Sequence, residues 1–584
     1  MKFRNGIGAI ALAMAVGMLG VGAVRAAAAL PPGVAGDGVT DDTVAIQSAL
    51  NAAGKTGGEV FLPAGQYLVK GNLTVPTGVS LTGSWEAPHH GAWDKGTTLL
   101  LTAGRGQETG QAAITLQQSS AIRGFTLLWP EEKGDNIVAY PWAIHGTGMH
   151  NTVENVTLVN AYQGILIGEP GSELHLIRSV YGCVLRRGLF IDSTSDVGRV
   201  EDIHFNTHYW MRSGYGPILS PDPGNNVTAY TMSHLEAFIF GRSDWEYVQN
   251  TFVWGAKIGY RFIKTPDGEC NGEFTNIGAD DCNVGLLVDN IQSAGIQITN
   301  GEFTAFSGAP NAGIVISPGA TGAAQFVNCN FWTTPGGAVQ VHGNVQVVLN
   351  ACHFSDAVDP AVIVADKGQL SVTSCSFAGG GTAISLLPGT RAGVITGNLQ
   401  AGGLVVDNQI GASAQIGLNE APYVYPAAQL SHYRIKIGGD DGDFLGTGWN
   451  GGEDADDVPA ALKPAVTTAR WSSGNSTLHL PVKAGAAYTL TVWVLTRDKT
   501  PQYTFSVAGA NKAVTSPGKV EVLTLNIPAS ATAGKNTVTL HIDGNPWSPS
   551  QIFAGSGDNR KLGARVFAVE MTAVGSADKA SDLD

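Results

Sequence analysis

Charged side chains are scarce in this sequence: they make up 14% of the 584 residues, and Asp and Glu (48) outnumber Lys and Arg (34). The formal net charge is −14, and no run of basic residues is present. This balance argues against a nucleic acid or an anionic membrane as the partner, since both are held by clustered positive charge. It also disfavours a polyanionic substrate, unless bound cations or a local basic groove mediate the contact. Residues that favour helices are sparse, whereas glycine occurs 77 times, which is typical of β-structure with many turns.

The sequence has no long apolar run apart from one at its N-terminus. Lys2 and Arg4 precede an apolar stretch over residues 7–24, and small residues follow at 26–29. This order is that of a secretory signal, and it predicts that residues 1–29 direct export and are then removed. The protein is therefore expected to be secreted, outside the cell or in the periplasm. The apolar stretch is long enough that an uncleaved anchor is an alternative.

Cysteine is also rare, with six residues, and three of these share one position of a repeat. Cys329, Cys352 and Cys375 are evenly spaced, and each is followed two residues later by Phe. The position held by these Phe residues is traced through the chain as Leu158, Phe205, Val253, Ala279, Phe303, Phe331, Phe354 and Phe377. A polar residue recurs three positions before most of these, as Asn155, Asp202, Asn250, Asn276, Asn300 and Asn328.

A repeat of about two dozen residues indicates a solenoid, because one unit cannot bury its apolar face alone. Each unit holds short β-segments with Gly or Asn at the corners, where a positive φ is tolerated. We therefore predict an all-β chain whose body, residues 30–424, is a right-handed parallel β-helix. Asn side chains are expected to bond along one corner, and Cys and Phe side chains to fill the interior. For Cys270 and Cys282, a disulfide and two free thiols are both open.

Other segments interrupt or flank the repeat. Residues 42–53 have the pattern of an amphipathic helix with a capping Asp, and such a helix can close the open end of the solenoid. Residues 209–244 form a long insertion, and insertions of this size on a regular scaffold often carry function. Residues 425–575 alternate strands with turn residues, which predicts an antiparallel β-sandwich for support or carbohydrate binding. Residues 576–584 are expected to be disordered.

The string GDGVTDDTVAIQSALNAA, followed by GGEVFLPAGQYLV and the β-helix coils, resembles the pectate-lyase-like superfamily of exported polysaccharide-acting enzymes. The resemblance extends over residues 33–420 and implies a glycan substrate. Its opening motif is structural, so Asp37, Asp41 and Asp42 are interpreted as turn and cap residues. Polygalacturonase-type members carry N-T-D, G-D-D-C and G-H-G motifs on successive coils. This sequence has only Asp280–Asp281–Cys282, at a shifted position, so the resemblance leaves the reaction open.

Alternation along the strands places Asp280 and Glu302 on the outside of adjacent coils, offset by two residues. One strand spacing and two residue rises separate their backbones by about 8 Å. Glycosidases hold their two carboxylates ~5–5.5 Å apart for retention and ~6.5–9.5 Å apart for inversion, so either outcome is compatible. We predict a glycoside hydrolase in which Asp280 and Glu302 share the roles of acid and base or nucleophile. Asp281 and Asp244 are further candidate catalytic residues. Asp281 could instead solvate a turn, and Asp244 could instead cap a short helix together with Ser243, with Trp245 packed underneath.

Aromatic and polar residues near these coils are the candidate substrate-binding set, because sugar rings rest on aromatic faces. They are His208, Trp210, Glu246, Trp254, Tyr260 and Trp332. Lys257 and Arg261 complete the set and support a second hypothesis, a polysaccharide lyase, in which a base removes the proton α to a uronate carboxylate and a cation neutralises that carboxylate. A non-catalytic glycan-binding solenoid is the third hypothesis.

A polysaccharide or oligosaccharide is the expected partner under all three hypotheses. No cofactor is expected and no metal-ligand set is recognised, although an acidic cluster could bind Ca²⁺ through oxygen ligands. Assembly into a homo-oligomer is left open.

Overall fold

The computed structural model describes residues 29–86, 92–215, 226–306, 310–356, 358, 361–420, 429–439, 441–497, 503–514, 518–553 and 556–583. The predicted export signal, residues 1–29, lies outside this described part except for residue 29. Helices are few and short, at Thr43–Ala53, His208–Met211, Asn226–His234, Ala529–Thr532 and Pro549–Ile552, with 3₁₀ turns at Gly411–Ser413 and Gly442–Phe444. None of the helices in the described part is long and apolar enough to cross a membrane.

The region from Asp37 to Gly417 is a parallel β-solenoid, in which the strands of each coil pair with equivalent strands of the next coil. Three ladders of parallel strands run along it. The first ladder contains Gly58–Leu62, Val79–Gly83, Ala121–Leu128, Thr152–Ile167, Leu176–Ile191, Arg199–Phe205, Ser243–Trp254, Cys270–Asp280, Ile296–Thr299, Thr321–Val327, Asn344–Asn350, Gln369–Thr373, Ala392–Thr396 and Ala414–Gly417.

The second ladder begins with Asp37–Asp41, Gly65–Val69 and Thr97–Leu101, continues along the long strands of the first ladder from Ala121–Leu128 to Cys270–Asp280, and ends with Glu302–Phe303, Asn330–Phe331, His353–Phe354, Ser376–Phe377 and Leu399–Gln400. The third ladder contains Leu73–Val75, Ile114–Leu116, Trp142–Gly146, the ends of Thr152–Ile167 and Leu176–Ile191, Glu236–Phe240, Ile258–Phe262, Val284–Val288, Ala312–Ile316, Val339–Val341, Ile363–Ala365, Ile384–Leu386 and Val406–Asn408.

The interior position predicted from the repeat is confirmed. Consecutive partners along the second ladder are Phe205, Val253, Ala279, Phe303, Phe331, Phe354 and Phe377, and all of them are buried. The last four rings stack with centroids 4.8–5.5 Å apart. Because parallel strands are spaced by ~4.8 Å, identical side chains in register pile into such columns.

The predicted column of stacked asparagines lies at the corner between the first and second ladders. Asn250, Asn276, Asn300 and Asn328 have φ between 53° and 55°. The side-chain amides of Asn276, Asn300 and Asn328 each donate to the carboxamide oxygen of the Asn on the preceding coil, over 2.8–3.1 Å. Asparagine tolerates this left-handed conformation, and the ladder of amides satisfies the polar groups of the corner.

One coil was not predicted from the repeat. Gly182 stands at the interior position between Leu158 and Phe205, and Ser179 (φ 53°) takes the place of the corner Asn. A side chain at Gly182 would collide with the carbonyl oxygen of Leu158. The coil was overlooked because neither the interior apolar residue nor the corner Asn is present.

All six cysteines are buried and free, which decides the open alternative for Cys270 and Cys282 in favour of thiols. Burial raises the pKa of Cys282 to about 12, so this thiol is protonated and unreactive at neutral pH. Cys329, Cys352 and Cys375 lie in the interior column, as predicted.

The N-terminal helix Thr43–Ala53 places Ile46 and Leu50 against the apolar core of the solenoid. Asp42 precedes it, is fully buried, and accepts hydrogen bonds from the backbone N–H groups of Ala35 (2.6 Å) and Gly36 (3.1 Å). The motif residue thus ties the start of the chain to the helix. That the helix serves to close the solenoid stays a prediction.

Residues 429–583, here called the C-terminal region, form two largely antiparallel sheets around a shared apolar core. One contains His432–Lys436, Glu453–Asp454, Thr468–Trp471, Tyr488–Leu495, Val520–Ile527, Arg565–Ala573 and Ser581–Leu583, and the other contains Asn475–Pro481, Tyr503–Val507, Ala510–Val514 and Thr537–Asp543. The expected disorder of residues 576–584 is corrected for the described residues 576–583, because Ser581–Leu583 pairs with His432–Lys436 and Leu583 is buried in the core.

Candidate functional site

A shallow groove of about 320 Å³ lies on the outward face of the second ladder. Glu302 pairs with Gly278, and Asp280 lies two residues beyond that pair, which is the predicted offset. Their chain neighbours Ala279 and Phe303 are buried, so alternation turns Asp280 and Glu302 outward. Both residues line this groove. In ideal geometry, one strand spacing and two residue rises separate their backbones by about 8 Å.

Thr304 holds the carboxylate of Asp280. The Thr304 hydroxyl donates to Oδ1 of Asp280 over 2.8 Å and accepts the backbone N–H of Asp281 over 2.8 Å. Thr304 is itself buried, so this hydroxyl has a fixed environment. A hydroxyl carries one proton, and that proton is directed at Asp280. Asp280 is thereby oriented as a hydrogen-bond acceptor at the edge of the groove.

Glu302 is exposed and lies beside an aromatic ring. The indole Nε1–H of Trp332 donates to Oε1 of Glu302 over 3.2 Å. Trp332 is 42% exposed, on the next coil, and lines the same groove. The groove therefore combines two carboxylates with a ring on which the apolar face of a sugar can rest.

Asp281 does not share this groove. It is 6% exposed and has a φ of 50°, in the turn that ends the strand Cys270–Asp280. The prediction that it stands beside Asp280 as a further catalytic carboxylate is corrected, since the turn carries its side chain into a buried environment.

Trp254 and His208 stand next to the groove. Trp254 pairs with Asp280 in the ladder, and its ring stacks on the His208 ring with centroids 5.3 Å apart. His208 begins the short helix His208–Met211 of the insertion. The insertion thus contacts the coil next to the two carboxylates, which places both predicted residues at one side of the groove.

Two predicted substrate-binding aromatics lie in the core instead. The Tyr260 side chain is fully buried, and its hydroxyl bonds to Thr251 and to the carbonyl oxygen of Gly278. Trp210 is 6% exposed within its helix. Both placements are corrected: Tyr260 points inward from the third ladder, and Trp210 anchors the insertion on the solenoid.

The predicted role of Glu246 in substrate binding is also corrected, because its side chain is fully buried. Its carboxylate lies 2.9 Å from Nε2 of His175 and accepts the Ser243 hydroxyl. Gly198 packs so closely here that a side chain would collide with both His175 and Glu246. Glu246 therefore organises the interior of a corner and cannot touch a substrate.

Asp244 lies at the same corner, outside the residues that line the groove of Asp280 and Glu302. It forms an ion pair with Arg242 and accepts the side-chain amides of Asn271 (3.2 Å) and Gln292 (2.6 Å). These partners satisfy its carboxylate and hold the corner. The structure thus separates Asp244 from the other candidate carboxylates.

A second groove of about 500 Å³ lies on the third ladder and is lined by charged residues. Arg261 contributes to it, paired with Glu236 (3.0 Å) and Asp289 (2.8 Å). Arg261 is therefore on a different ladder from Asp280 and Glu302. Lys257 is exposed in the turn after Ser243–Trp254, outside the residues that line either groove.

Arg186 and Arg187 of this charged groove were not singled out from the sequence. They interrupt the otherwise apolar second half of the strand Leu176–Ile191, and both lie within 4 Å of Glu108. Two adjacent arginines in a buried strand pattern are the signal that could have indicated them. No group of three or more His, Cys, Asp and Glu side chains arranged to hold a metal occurs among the described residues.

Comparisons with known proteins give partial matches to this chain. The family described as "Rhamnogalacturonase A/epimerase, pectate lyase-like" matches residues 31–117. Mannuronan C5-epimerase AlgE2 of Azotobacter vinelandii is 37% identical over 99 residues, 14% of this chain and 10% of the epimerase. Alginate lyase 7 of Azotobacter vinelandii is 35% identical over 95 residues, 14% of this chain and 11% of the lyase.

These matches span about a tenth of the curated relatives' length. Among solved structures, the A-module of mannuronan C-5 epimerase AlgE6 of Azotobacter vinelandii is 15% identical, with a TM-score of 0.34, and the alignment covers 66% of this chain and 96% of that module. The family match ends before Asp280 and Glu302.

Proposed function

Since this chain belongs to the pectate-lyase-like superfamily of parallel β-helices, we propose that it is a glycoside hydrolase that cleaves a polysaccharide in the groove of Asp280 and Glu302. The observation that carries the proposal is the pair of outward carboxylates on adjacent coils, beside the exposed ring of Trp332. Cleavage of a glycosidic bond requires one carboxyl group to protonate the leaving oxygen and a second carboxylate opposite it.

The surroundings of the two carboxylates suggest their roles. We assign Asp280, which accepts a hydrogen bond from the buried Thr304 hydroxyl, the role of a base towards water or of the nucleophile towards the anomeric carbon. Glu302 then donates its proton to the glycosidic oxygen as the bond to the anomeric carbon breaks. Water supplies the hydroxyl group of the new reducing end, and its second proton returns to the carboxylates.

The groove favours a neutral glycan. Among the described residues that line it, none is Lys or Arg, so no side-chain cation faces the carboxylate of a uronate. Elimination and C5 epimerisation both require the carboxylate next to the reacting carbon to be neutralised. A neutral sugar makes no such demand, and the net charge of −14 points in the same direction.

A lyase or epimerase acting on a uronate polymer is the second candidate, and the charged groove on the third ladder supports it. Arg187 and Arg261 there could bind sugar carboxylates through paired N–H donors. The names of the similar proteins, mannuronan epimerase and alginate lyase, point to the same chemistry. Each of these arginines now pairs with an acidic side chain, which a substrate carboxylate would have to displace.

A panel of neutral β-glucan, xylan, α-glucan, alginate and polygalacturonate, each tested with added Ca²⁺ and with chelator, separates the candidates. New reducing ends without ultraviolet absorbance indicate hydrolysis, and absorbance of an unsaturated uronate indicates elimination. A change in the proton NMR spectrum without chain cleavage indicates epimerisation. Binding without any change indicates a non-catalytic glycan-binding protein.

Variants then assign the site. Glu302→Gln and Asp280→Asn are each expected to reduce hydrolysis by about 10²–10⁴-fold, because a positioned acid or base contributes that much. Glu273→Gln, an exposed Glu on the first ladder, is the matched control and should retain activity. Full activity in both groove variants would contradict the proposal.

We also propose export as the setting of this activity. The full chain expressed in a bacterial host is expected in the periplasm or medium, whereas a chain beginning at residue 30 stays in the cytoplasm. Retention of the full chain in the membrane fraction would support an uncleaved anchor instead.

A further inference from the structure

A larger cleft, of about 780 Å³, lies between the last coils of the solenoid and the C-terminal region. The solenoid contributes His353, Ser376 and Leu399, all outward residues of the second ladder. The C-terminal region contributes Asp443 and His479. One wall of the cleft therefore belongs to the ladder that carries the carboxylate groove.

The two concavities are joined along one face. Glu302 pairs with Asn330, which pairs with His353, and the same register continues through Ser376 to Leu399. Four spacings of ~4.8 Å place Leu399 about 19 Å from the coil of Glu302. Glu302, Asn330, His353 and Leu399 are all exposed, so the strip between groove and cleft is open. A chain of several sugar units can lie along it.

The wall from the C-terminal region is firmly held. The turn Gly442–Phe444 follows Asp441, which is fully buried and forms a two-pronged ion pair with Arg470 at 2.7–3.1 Å. Phe444 is buried in the core of the region. A side chain at Gly380 of the solenoid would collide with the carbonyl oxygen of Leu445, so the two parts touch closely beside the cleft.

The chemistry of the lining suits a neutral sugar. No Lys or Arg occurs among the described residues that line the cleft, and Asp443 and Glu420 would repel a uronate. Burial, with a contribution from His541, lowers the pKa of His479, so its ring is neutral at pH 7 and can both donate and accept. Nδ1 of His353 lies 2.8 Å from the Ser376 hydroxyl, which orients that ring at the floor.

We propose that this cleft is a distal binding site for the same neutral glycan whose cleavage at Asp280 and Glu302 is proposed above. Sugar units several positions from the scissile bond rest between the solenoid and the C-terminal region. The site makes the protein prefer long chains, because contacts remote from the reacting bond add affinity that a short oligosaccharide cannot reach. The inference rests on the proposed function and assigns the C-terminal region a direct part in substrate binding.

The test compares chain lengths. The parent and the double variant Asp443→Ala/His479→Ala are assayed with a size series of oligosaccharides, from two to ten units, of the neutral glycan cut in the panel. For the longest substrates kcat/KM is expected to fall about tenfold, mostly through KM, which corresponds to ~1.4 kcal/mol. For the shortest substrates it should stay within about twofold. Asp456→Ala, an exposed change elsewhere in the C-terminal region, is the matched control.

A second variant, on the solenoid wall of the cleft, tests the same site in case the double variant changes the folding of the C-terminal region. Leu399→Arg adds a long side chain at an exposed floor position, and it should also weaken only long substrates. Unchanged chain-length dependence in both variants overturns the distal site while leaving the hydrolase intact. If Glu302→Gln still cuts, the proposed function fails instead. If no glycan is cut, gel retardation of the parent by the panel polysaccharides must be weakened by both variants, and absence of retardation overturns the proposal.

Discussion

Glu132 is a buried carboxyl group whose ionisation the fold opposes. It is 3% exposed, the backbone N–H of Val138 donates to its Oε1 over 2.8 Å, and no hydrogen bond to its Oε2 is found in the described part of the chain. Burial raises the pKa of Glu132 from 4.5 to about 7. The folded protein therefore holds this proton more tightly than the unfolded chain does. The resulting stabilisation is complete below pH 4.5 and is lost as the pH rises to 7.

The difference between the two pKa values corresponds to about 3 kcal/mol at 1.36 kcal/mol for each unit of pH. About 2.5 kcal/mol of this is lost between pH 5 and pH 8, because the unfolded carboxyl group is already largely ionised at pH 5. Glu132→Gln has no proton to lose. Its free energy of unfolding is therefore expected to fall less than that of the parent over this interval, by about 2.5 kcal/mol.

Urea denaturation of the full chain at pH 5 and pH 8, followed by tryptophan fluorescence, measures this difference. The matched control is Glu131→Gln, which removes the same charge from the exposed neighbouring residue. Its pH dependence should follow the parent within about 0.5 kcal/mol, as for most surface changes. If the parent and Glu132→Gln lose stability in parallel, Glu132 is not the group that titrates, and the reasoning is refuted.

Three further changes test the site and the scaffold. Thr304→Val should lower kcat/KM for glycan cleavage about 10- to 100-fold, since a hydrogen bond to a charged group contributes ~1.5–3 kcal/mol, whereas Thr304→Ser should retain most activity. Asn276→Ala should lower the melting temperature more than Asn276→Gly, because Gly, unlike Ala, accepts the φ of 54° without strain; equal losses would contradict this. Gly198→Ala should destabilise by about 1–3 kcal/mol through collision with His175, whereas Gly417→Ala, which meets nothing, should be close to neutral in the same melting experiment.

Much of the solenoid could be predicted because its interior is filled by side chains that recur in the sequence. Stacked coils repeat the environment of each position, so Phe303, Phe331 and Phe354 recur at a fixed spacing and identify the interior. The repeat was not recognised at the coil whose interior position holds glycine. At Gly182 the backbones approach so closely that glycine is required, and the repeat is invisible there.

Alternation also decided which candidate site residues were placed correctly. Within an uninterrupted strand it turned Asp280 outward next to buried Ala279. Glu246 was proposed for substrate binding from its place in a cluster of charged residues, not from alternation, and the register of its strand shifts between Ser243 and Glu246, where Trp245 adopts a φ of 54°. A bulge of this kind inserts a residue and reverses inside and outside beyond it, and a sequence gives little sign of it.

The ion-pair partners of charged residues could not be predicted from the repeat. Arg261 was predicted to be a cation available to a lyase, yet it is paired with Glu236 from the preceding strand of the third ladder. That strand, Glu236–Phe240, lies within residues 209–244, which were predicted to be an insertion outside the repeat. Which acidic residue a strand brings beside a basic one depends on the coil register. The insertion hides that register from the repeat. Lateral contacts between coils therefore had to come from the structure.

The same geometry explains why family likeness and reaction can be separated in this chain. The matched residues 31–117 include Asp42, whose carboxylate binds the backbone of Ala35 and Gly36 and so belongs to the beginning of the fold. The middle coils then present two unlike faces: the second ladder offers paired carboxylates without a cation, and the third offers arginines in ion pairs. Hydrolysis needs the first face, and chemistry at a uronate carbon needs the second. A loss of activity confined to Glu302→Gln would therefore indicate hydrolysis on the second ladder. A loss confined to Arg261→Ala would indicate chemistry at a uronate on the third ladder.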